Sequence, residues 1–302
     1  MTMGKGVDSG SVEILVLGDL HGQFDEVDRR FLETRHPLLC LFVGDLGDED
    51  PRMVDKVLEA RVPTFGLLGN HDAWRSFRED RVTADLAACL GKLGNRHLAY
   101  RRIDLPSLDL SIVGARPFSW GGPKLRSRAV YKALYDVESM QESAHRIVEA
   151  ARGAPTRRLW ILAHNGPQGL SKKSTDIFGK DFGNPGGDWG DADLRLAMDL
   201  LEEEGFEIPL LIAGHMHHRC QKPRGAIRKK SAWMFDTFVL NTARVPRIFQ
   251  ERGREPKTHH CFSLRANSKG ITGISELFFD GTSVREETLD FENPREASKN
   301  LI

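Results

Sequence analysis

An α/β N-terminal half followed by a β-rich C-terminal stretch is the fold class this sequence predicts. Three observations predict it. Short apolar runs alternate with segments of helical spacing over the first seventy residues. Most of these runs deliver a glycine followed by Asp, Asn or His. From Phe235 onward, strand-like runs succeed one another with no helical segment between them.

Val12–Leu17 is a short apolar run, broken by Glu13 and ended by Gly18-Asp19, and reads as a buried strand. Gln23–Arg35 places Phe24, Val27, Phe31 and Leu32 at helical spacing. Leu38–Val43 reads as a second buried strand. Pro51–Arg61 reads as a second helix, with proline in its first turn. Thr64–Leu68 is a third strand. This rhythm predicts a partly parallel sheet with helices packed on it. Ser76–Leu93 and Leu134–Arg152 each read as a helix, and Leu110–Val113 as a strand leading into Gly114-Ala115-Arg116-Pro117. Arg157–Ala163 is a strand ending at His164. Leu170–Gly190, rich in Gly, Ser, Asp and Lys, reads as a long loop. Asp191–Glu204 is a helix with an acidic first turn, and Pro209–Ala213 a buried strand delivering Gly214-His215. Phe238–Asn241, His260–Leu264, Ile274–Phe279 and Ser283–Glu287 read as strands, with Asp280-Gly281 as a hairpin turn.

Composition narrows the function classes. The 302 residues suffice for one large domain, and the 40% hydrophobic content supports a core. Lys+Arg and Asp+Glu balance at 43 each, which argues against a general nucleic-acid binder. Cys40, Cys89, Cys220 and Cys261 are scattered, without a CxxC pair, so neither a zinc ribbon nor a redox pair is expected. The first ten residues are polar and glycine-rich with no apolar signal core, and no apolar stretch is long enough to span a bilayer. A soluble cytoplasmic protein without a membrane partner is expected.

Five separated stretches carry the chemistry. They are Gly18-Asp19-Leu20-His21-Gly22, Gly44-Asp45-Leu46-Gly47-Asp48, Gly69-Asn70-His71-Asp72, Ala163-His164-Asn165 and Gly214-His215-Met216-His217-His218. The first three lie just after strands. Ligand sites in open α/β sheets form at the carboxyl ends of strands, so Asp19, His21, Asp45 and Asn70 are expected along one edge. Carboxylate, amide oxygen and imidazole together suit a two-metal hydrolytic centre. A lone Asp after a strand is usually a turn former or a helix cap; five such motifs in order outweigh that reading.

The order GDxH, GDxxD, GNHD, H, GHxH resembles the signature of the calcineurin-like metallophosphoesterase superfamily. The resemblance implies a four-layer α-β-β-α sandwich of two mixed sheets flanked by helices. A single domain of this kind is expected over residues 1–290, with a helical cap insertion at about 75–155, read from the long segments between Asn70 and His164, and a polar tail at 291–302. It further implies that Asp19, His21 and His217 hold one metal, that Asn70, His164 and His215 hold the other, and that Asp45 bridges both. The mixed N/O ligands suit two divalent ions of Mn, Fe, Zn, Co or Ni. His71 resembles the family's catalytic histidine, donating a proton to the leaving group. Asp72 is expected to orient His71, and Asp48 falls where the family places support for the centre.

The implied activity is hydrolysis of a phosphomonoester or phosphodiester of a small phosphorylated substrate by a hydroxide activated between two metals. Two other readings accompany it: a scaffold that keeps the fold without catalysis, and a nuclease. Arg116 is a candidate phosphate clamp. Lys172, Lys173 and Lys180 mark the 170–190 loop as a candidate lid, and the basic run Lys222–Lys230 as a candidate anion-attracting rim. The oligomeric state is open.

Overall fold

The computed structural model describes residues 10–293 apart from 252 and 254; most of the expected polar tail lies outside the described residues. The first third holds β1 (Val12–Leu17), α1 (Glu26–Arg35), β2 (Leu39–Phe42), α2 (Pro51–Leu58) and β3 (Thr64–Gly66). Next come α3 (Trp74–Glu79), α4 (Ala84–Leu93), β4 (Arg102–Leu105), β5 (Leu110–Gly114), α5 (Arg128–Tyr135) and α6 (Met140–Ala151). Then follow β6 (Arg158–Leu162), α7 (Ala192–Glu203), β7 (Glu207–Ala213), β8 (Ser231–Met234) and β9 (Thr237–Asn241). The chain closes with β10 (Ile248–Phe249), β11 (Thr258–Asn267), β12 (Gly270–Phe279) and β13 (Val284–Thr288).

Two mixed sheets form. One runs β13-β12-β11-β1-β2-β3, with β10 beside β11; the other runs β4-β5-β6-β7-β9-β8. β1, β2 and β3 are mutually parallel, as are β5, β6, β7 and β9. The C-terminal hairpins add antiparallel strands to the first sheet through the β1–β11 pairing.

The continuous apolar runs explain the layering. Ile14 and Val16 point at the second sheet, joining Leu39, Leu41, Trp160, Leu162, Leu210 and Ile212 in a central core. Their neighbours Leu15 and Leu17 point the other way, packing with Leu32, Phe42, Val54 and Leu86 under α1, α2 and α4. On the far side, Val113, Ile161 and Ala213 meet Ile147, Leu194 and Leu201 of α6 and α7. A strand buried on both faces reads as an unbroken hydrophobic run rather than an alternating one. The result is the expected α-β-β-α sandwich. No described helix is long and apolar enough to cross a membrane.

Local signals set the helix boundaries. Asp25 caps α1 by accepting from the Val27 and Asp28 amides, and Asp28 reciprocates to the Asp25 amide. Asp50 caps α2 ahead of Pro51. The single helix predicted at Ser76–Leu93 is divided into α3 and α4, because Asp80 turns left-handed and Thr83 caps afresh. The helix predicted at Leu134–Arg152 is likewise divided: α5 starts earlier and ends at left-handed Asp136, and Ser139 caps α6.

Segment 75–155, expected as a helical cap, is woven into the sandwich instead. Its strands β4 and β5 belong to the second sheet, and α6 packs on α7 and β5. The apolar runs of β5 and α6 need burial, and the outer face of the second sheet provides it.

Candidate metal centre

Each ligand-type residue sits where a parallel strand ends. Asp19 and His21 follow β1, Asp45 follows β2, Asn70 follows β3, His164 follows β6, and His215 and His217 follow β7. The two sheets pack so that these ends meet. Asp19, His21 and His217 place donor atoms within 4.8 Å of one another, and so do Asp45, His164 and His215. His21, Asp45 and His71 form a third such group, through which the first two adjoin.

The distances tie the groups into one cluster. His21 Nε2 lies 3.3 Å from His217 Nε2 and 3.5 Å from Asp45 Oδ2. His217 Nε2 lies 3.7 Å from Asp19 Oδ2. His164 Nε2 lies 2.9 Å from Asn70 Oδ1 and 3.5 Å from Asp45 Oδ1. Asp45 thus presents one oxygen to each side. His164 Nδ1 contacts the Val43 carbonyl at 2.8 Å, which leaves Nε2 facing the cluster. The His215 amide donates to both oxygens of Asp19, at 3.2 and 2.9 Å.

The backbone is bent to make this possible. His21, Asp45, Asp48 and His215 all adopt positive φ, between 44° and 64°. Such conformations are uncommon outside glycine and concentrate at functional sites. Glycine is needed beside them for room. A Cβ on Gly69 would lie 2.3 Å from Asp45 Oδ1, and one on Gly214 would lie 2.2 Å from Asp19 Oδ1.

Electrostatics favours cations here. Burial pushes the Asp19 carboxyl up to about 7, with Asp45 adding to the rise against the pull of His164. Burial also raises Asp45, and the neighbouring Asp72 carboxylate adds to it. The imidazoles move the other way. Burial lowers His21 to about 4 and His217 to about 3, and holds His164 and His215 below the ordinary histidine value. Neutral imidazoles keep a lone pair for coordination. Among the described residues the ion pairs of Asp19 and Asp45 are with histidines alone. Buried carboxylates without Lys or Arg partners, ringed by neutral imidazoles, are the donor set that divalent cations satisfy.

His71 stands differently. Its side chain is 37% exposed, and its Nδ1 lies 3.0 Å from Asp48 Oδ1. The expectation that Asp72 orients His71 is corrected. A 3-10 turn over His71–Ala73 swings Asp72 inward, where it accepts from the amides of Leu46, Gly47 and Gly69 at 2.9 Å each. Asp72 therefore knits the Asp45 and Asn70 loops together, and Asp48 orients the imidazole.

The Arg116 assignment is corrected as well. Arg116 follows β5 but is only 3% exposed. Its Nε donates to Asp193 at 2.7 Å, and Nη2 lies 2.9 Å from Asp191. Burial works against its charge, but the two carboxylates outweigh it and hold the guanidinium charged. It fastens β5 to the start of α7 and is not available to phosphate. Arg116→Ala is expected to cost about 3–5 kcal/mol in urea unfolding, because it strands buried carboxylates. A normal unfolding midpoint with a raised KM would restore the clamp.

The 170–190 loop is not a free lid. Arg228, 1% exposed, reaches into it and donates to the carbonyls of Ser174, Asp176 and Gly179 at 2.6–3.0 Å, and pairs with Asp181. Of the expected basic rim, Arg228 is buried and Lys229 and Lys230 pair with Asp176 and Glu276, while Lys222 and Arg224 remain exposed. The loop instead carries Phe182 and Trp189 to a cavity of about 270 Å³ that opens on Asp45, Asn70, His71, His215 and His217. Neither aromatic was singled out from sequence. Nothing periodic marks them, although an aromatic in a Gly/Lys loop beside a ligand histidine was a signal available to read.

Four layers with seven N/O donors gathered at adjoining strand ends define the class of a dinuclear metallophosphoesterase fold. The profile of the calcineurin-like phosphoesterase family matches residues 12–219, and the chain belongs to that family. No curated protein matches it in sequence. Among solved structures, a dimetal phosphatase from Danio rerio is similar with 10% identity and a TM-score of 0.52, covering 93% of this chain and 100% of its own. GAP50, the anchor in the inner membrane complex of Plasmodium, is similar with 12% identity and a TM-score of 0.50, covering 94% of this chain and 90% of its own. These likenesses show the fold; one neighbour is described as a phosphatase and the other as an anchor, so the site must argue the function.

Proposed function

We propose that this chain is a dinuclear metal-dependent hydrolase of small phosphoesters. The observation that carries the reading is the pair of donor triads meeting at Asp45 with His71 half-exposed beside them. Asp19, His21 and His217 would hold one cation, Asn70, His164 and His215 the other, and Asp45 both. A cation pair held there supplies Lewis acidity toward a phosphoryl group and an acidified water.

The chain's own residues do the rest. The His71 amide donates to Asp45 Oδ1 at 2.8 Å, which fixes the imidazole relative to the centre. With Nδ1 directed at Asp48, Nε2 is the atom that would hand a proton to a departing alkoxide. The Asp48 carboxylate, 3.0 Å from Nδ1, holds the ring in that orientation. Neutral imidazole and amide donors add no negative charge, so the centre keeps its pull on an anionic phosphoryl group. All four cysteines are free and buried, which supports a reducing, cytoplasmic setting.

The test is reconstitution. Chelation is expected to abolish hydrolysis of p-nitrophenyl phosphate or bis(p-nitrophenyl) phosphate, and Mn²⁺ to restore it at two metals per chain by elemental analysis. Full metal loading with no turnover across a broad set of monoesters and diesters would leave a metal-binding scaffold. Cleavage of oligonucleotides in preference to small esters, falling steeply with salt, would mark a nuclease.

A further inference from the structure

The donor triads form only part of the wall of the 270 Å³ cavity. Much of the remainder is aromatic. Trp120, on the turn after β5, lines it together with Phe182 and Trp189 of the loop between β6 and α7. Phe182 and Trp189 meet edge to face, with centroids 5.1 Å apart. The Trp189 indole N–H donates to the Trp120 carbonyl at 2.8 Å. His215 and His217 of the donor set line the same cavity beside these rings.

The rings continue to the rim. Trp120 lies 5.2 Å from Trp74, which stacks on His71 at 5.6 Å and 25°. Trp74 is 45% exposed, an indole standing in water beside the proposed proton donor. The Arg126 guanidinium sits 5.0 Å above Trp120, and Asp181, which pairs with Arg228, joins Met216, Arg219 and Gln221 in the rest of the lining. A phosphorylated sugar or aliphatic phosphate would leave these faces wet. A planar ring system would desolvate them, and stacking on aromatic faces is how bases are held without regard to sequence. Gln221 offers an amide donor and acceptor, which suits the heteroatom edge of a base rather than a bare aryl ring. Because Arg228 anchors the loop, the wall is formed before any ligand arrives, and ordering it costs little.

We propose that the substrate is a nucleoside phosphate, its base held against Trp120, Phe182 and Trp189 while its phosphoryl group meets the triads. This rests on the hydrolase reading above and names the substrate class for the same site.

Matched pairs test it. AMP and ribose 5-phosphate differ only in the base. The p-nitrophenyl ester of thymidine 5′-phosphate and methyl p-nitrophenyl phosphate form the diester counterpart, sharing one leaving group. With the Mn²⁺-loaded protein, the base-bearing member of at least one pair is expected to show kcat/KM higher by about 10-fold or more, the range that one stacked base contributes. Trp189→Leu and Phe182→Leu are expected to pull that ratio toward one. Phe182 and Trp189 pack at the edge of the core and are partly exposed, and a ratio between matched substrates is insensitive to general loss of folded protein. Turnover of both members at equal efficiency would overturn the proposal and leave the hydrolase standing. A base preference that survives both substitutions would also overturn it, since the base would be read elsewhere. No turnover of any member at two metals per chain would overturn the hydrolase reading itself, and the proposal with it.

Discussion

Asp45→Ala is expected to yield a folded protein that binds less than one metal ion per chain and turns over phosphoesters about a thousandfold or more slowly, the rate equivalent of several kcal/mol of Lewis-acid stabilisation. No other residue in the cluster presents one oxygen toward each donor group. Losing it would remove the proposed bridge, the one charge placed to offset repulsion between two cations. Asp45→Asn makes the sign of the electrostatics visible. In the metal-free protein the Asp45 carboxyl is raised above its ordinary 3.8 by burial and by Asp72. A raised carboxyl costs the folded state stability as pH climbs past the unfolded pKa, and the cost is complete only above the folded one. Metal-free Asp45→Asn is therefore expected to melt above metal-free wild type at neutral pH, with the two converging as pH falls below 4. Mn²⁺ should reverse the order, stabilising wild type alone. Elemental analysis and thermal melts with and without EDTA check both halves. An Asp45→Asn variant that keeps two metals and most of its activity would remove the bridge from the account.

His71→Ala is expected to lower kcat by about 10²–10⁴-fold, the usual worth of general acid catalysis, while both metals remain bound. The expectation of retained metal follows from its position. The imidazole turns its Nδ1 to Asp48, whereas Nε2 of His21, His164 and His217 lies 3.5–3.7 Å from Asp45 or Asp19 inside the donor cluster. The loss should depend on the leaving group. An alkyl alcohol needs the proton, and p-nitrophenoxide departs without it, so the variant should be far more impaired on alkyl esters. Asp48→Asn should show the same dependence in milder form, because it loosens the contact that orients the ring without removing the ring. A loss equal across leaving groups, or a fall in metal content, would make His71 a ligand or a structural residue, as its place near His21 and Asp45 allows.

How much of this was legible in the sequence follows from what each residue depends on. The strands bearing Asp19, Asp45, His164 and His215 announce themselves because both of their faces are buried and each run must end where a ligand can sit. That Asp19, His21, Asp45 and Asn70 share one edge was readable from the strand ends, whereas the arrival of His164 and His215 from the other sheet was only implied by the family resemblance. Arg116 misleads because β5 ends like its neighbours, while the carboxylates that claim it lie at the head of α7, far along the chain. Asp72 misleads because adjacency in sequence implies nothing after a 3-10 turn, which sends successive side chains in different directions. The edge strands β4, β8 and β10 were not foreseen, since short strands with one face in solvent lack an apolar run. The break between α5 and α6 depends on left-handed Asp136, and helical periodicity carries no sign of it. The loop that carries Phe182 and Trp189 is held by Arg228 across about fifty residues and by the bond from Trp189 to the Trp120 carbonyl, contacts that no local pattern encodes.

The division of the donors between the sheets has a mechanical consequence. Asp19, His21, Asp45 and Asn70 come from one sheet, and His164, His215 and His217 from the other. Each proposed cation would therefore be a rivet through both halves of the molecule, drawing on each for its grip. Amide hydrogen exchange across the seam should slow when the ions enter and quicken when they leave, so that assembly of the shell and readiness for chemistry rise and fall together.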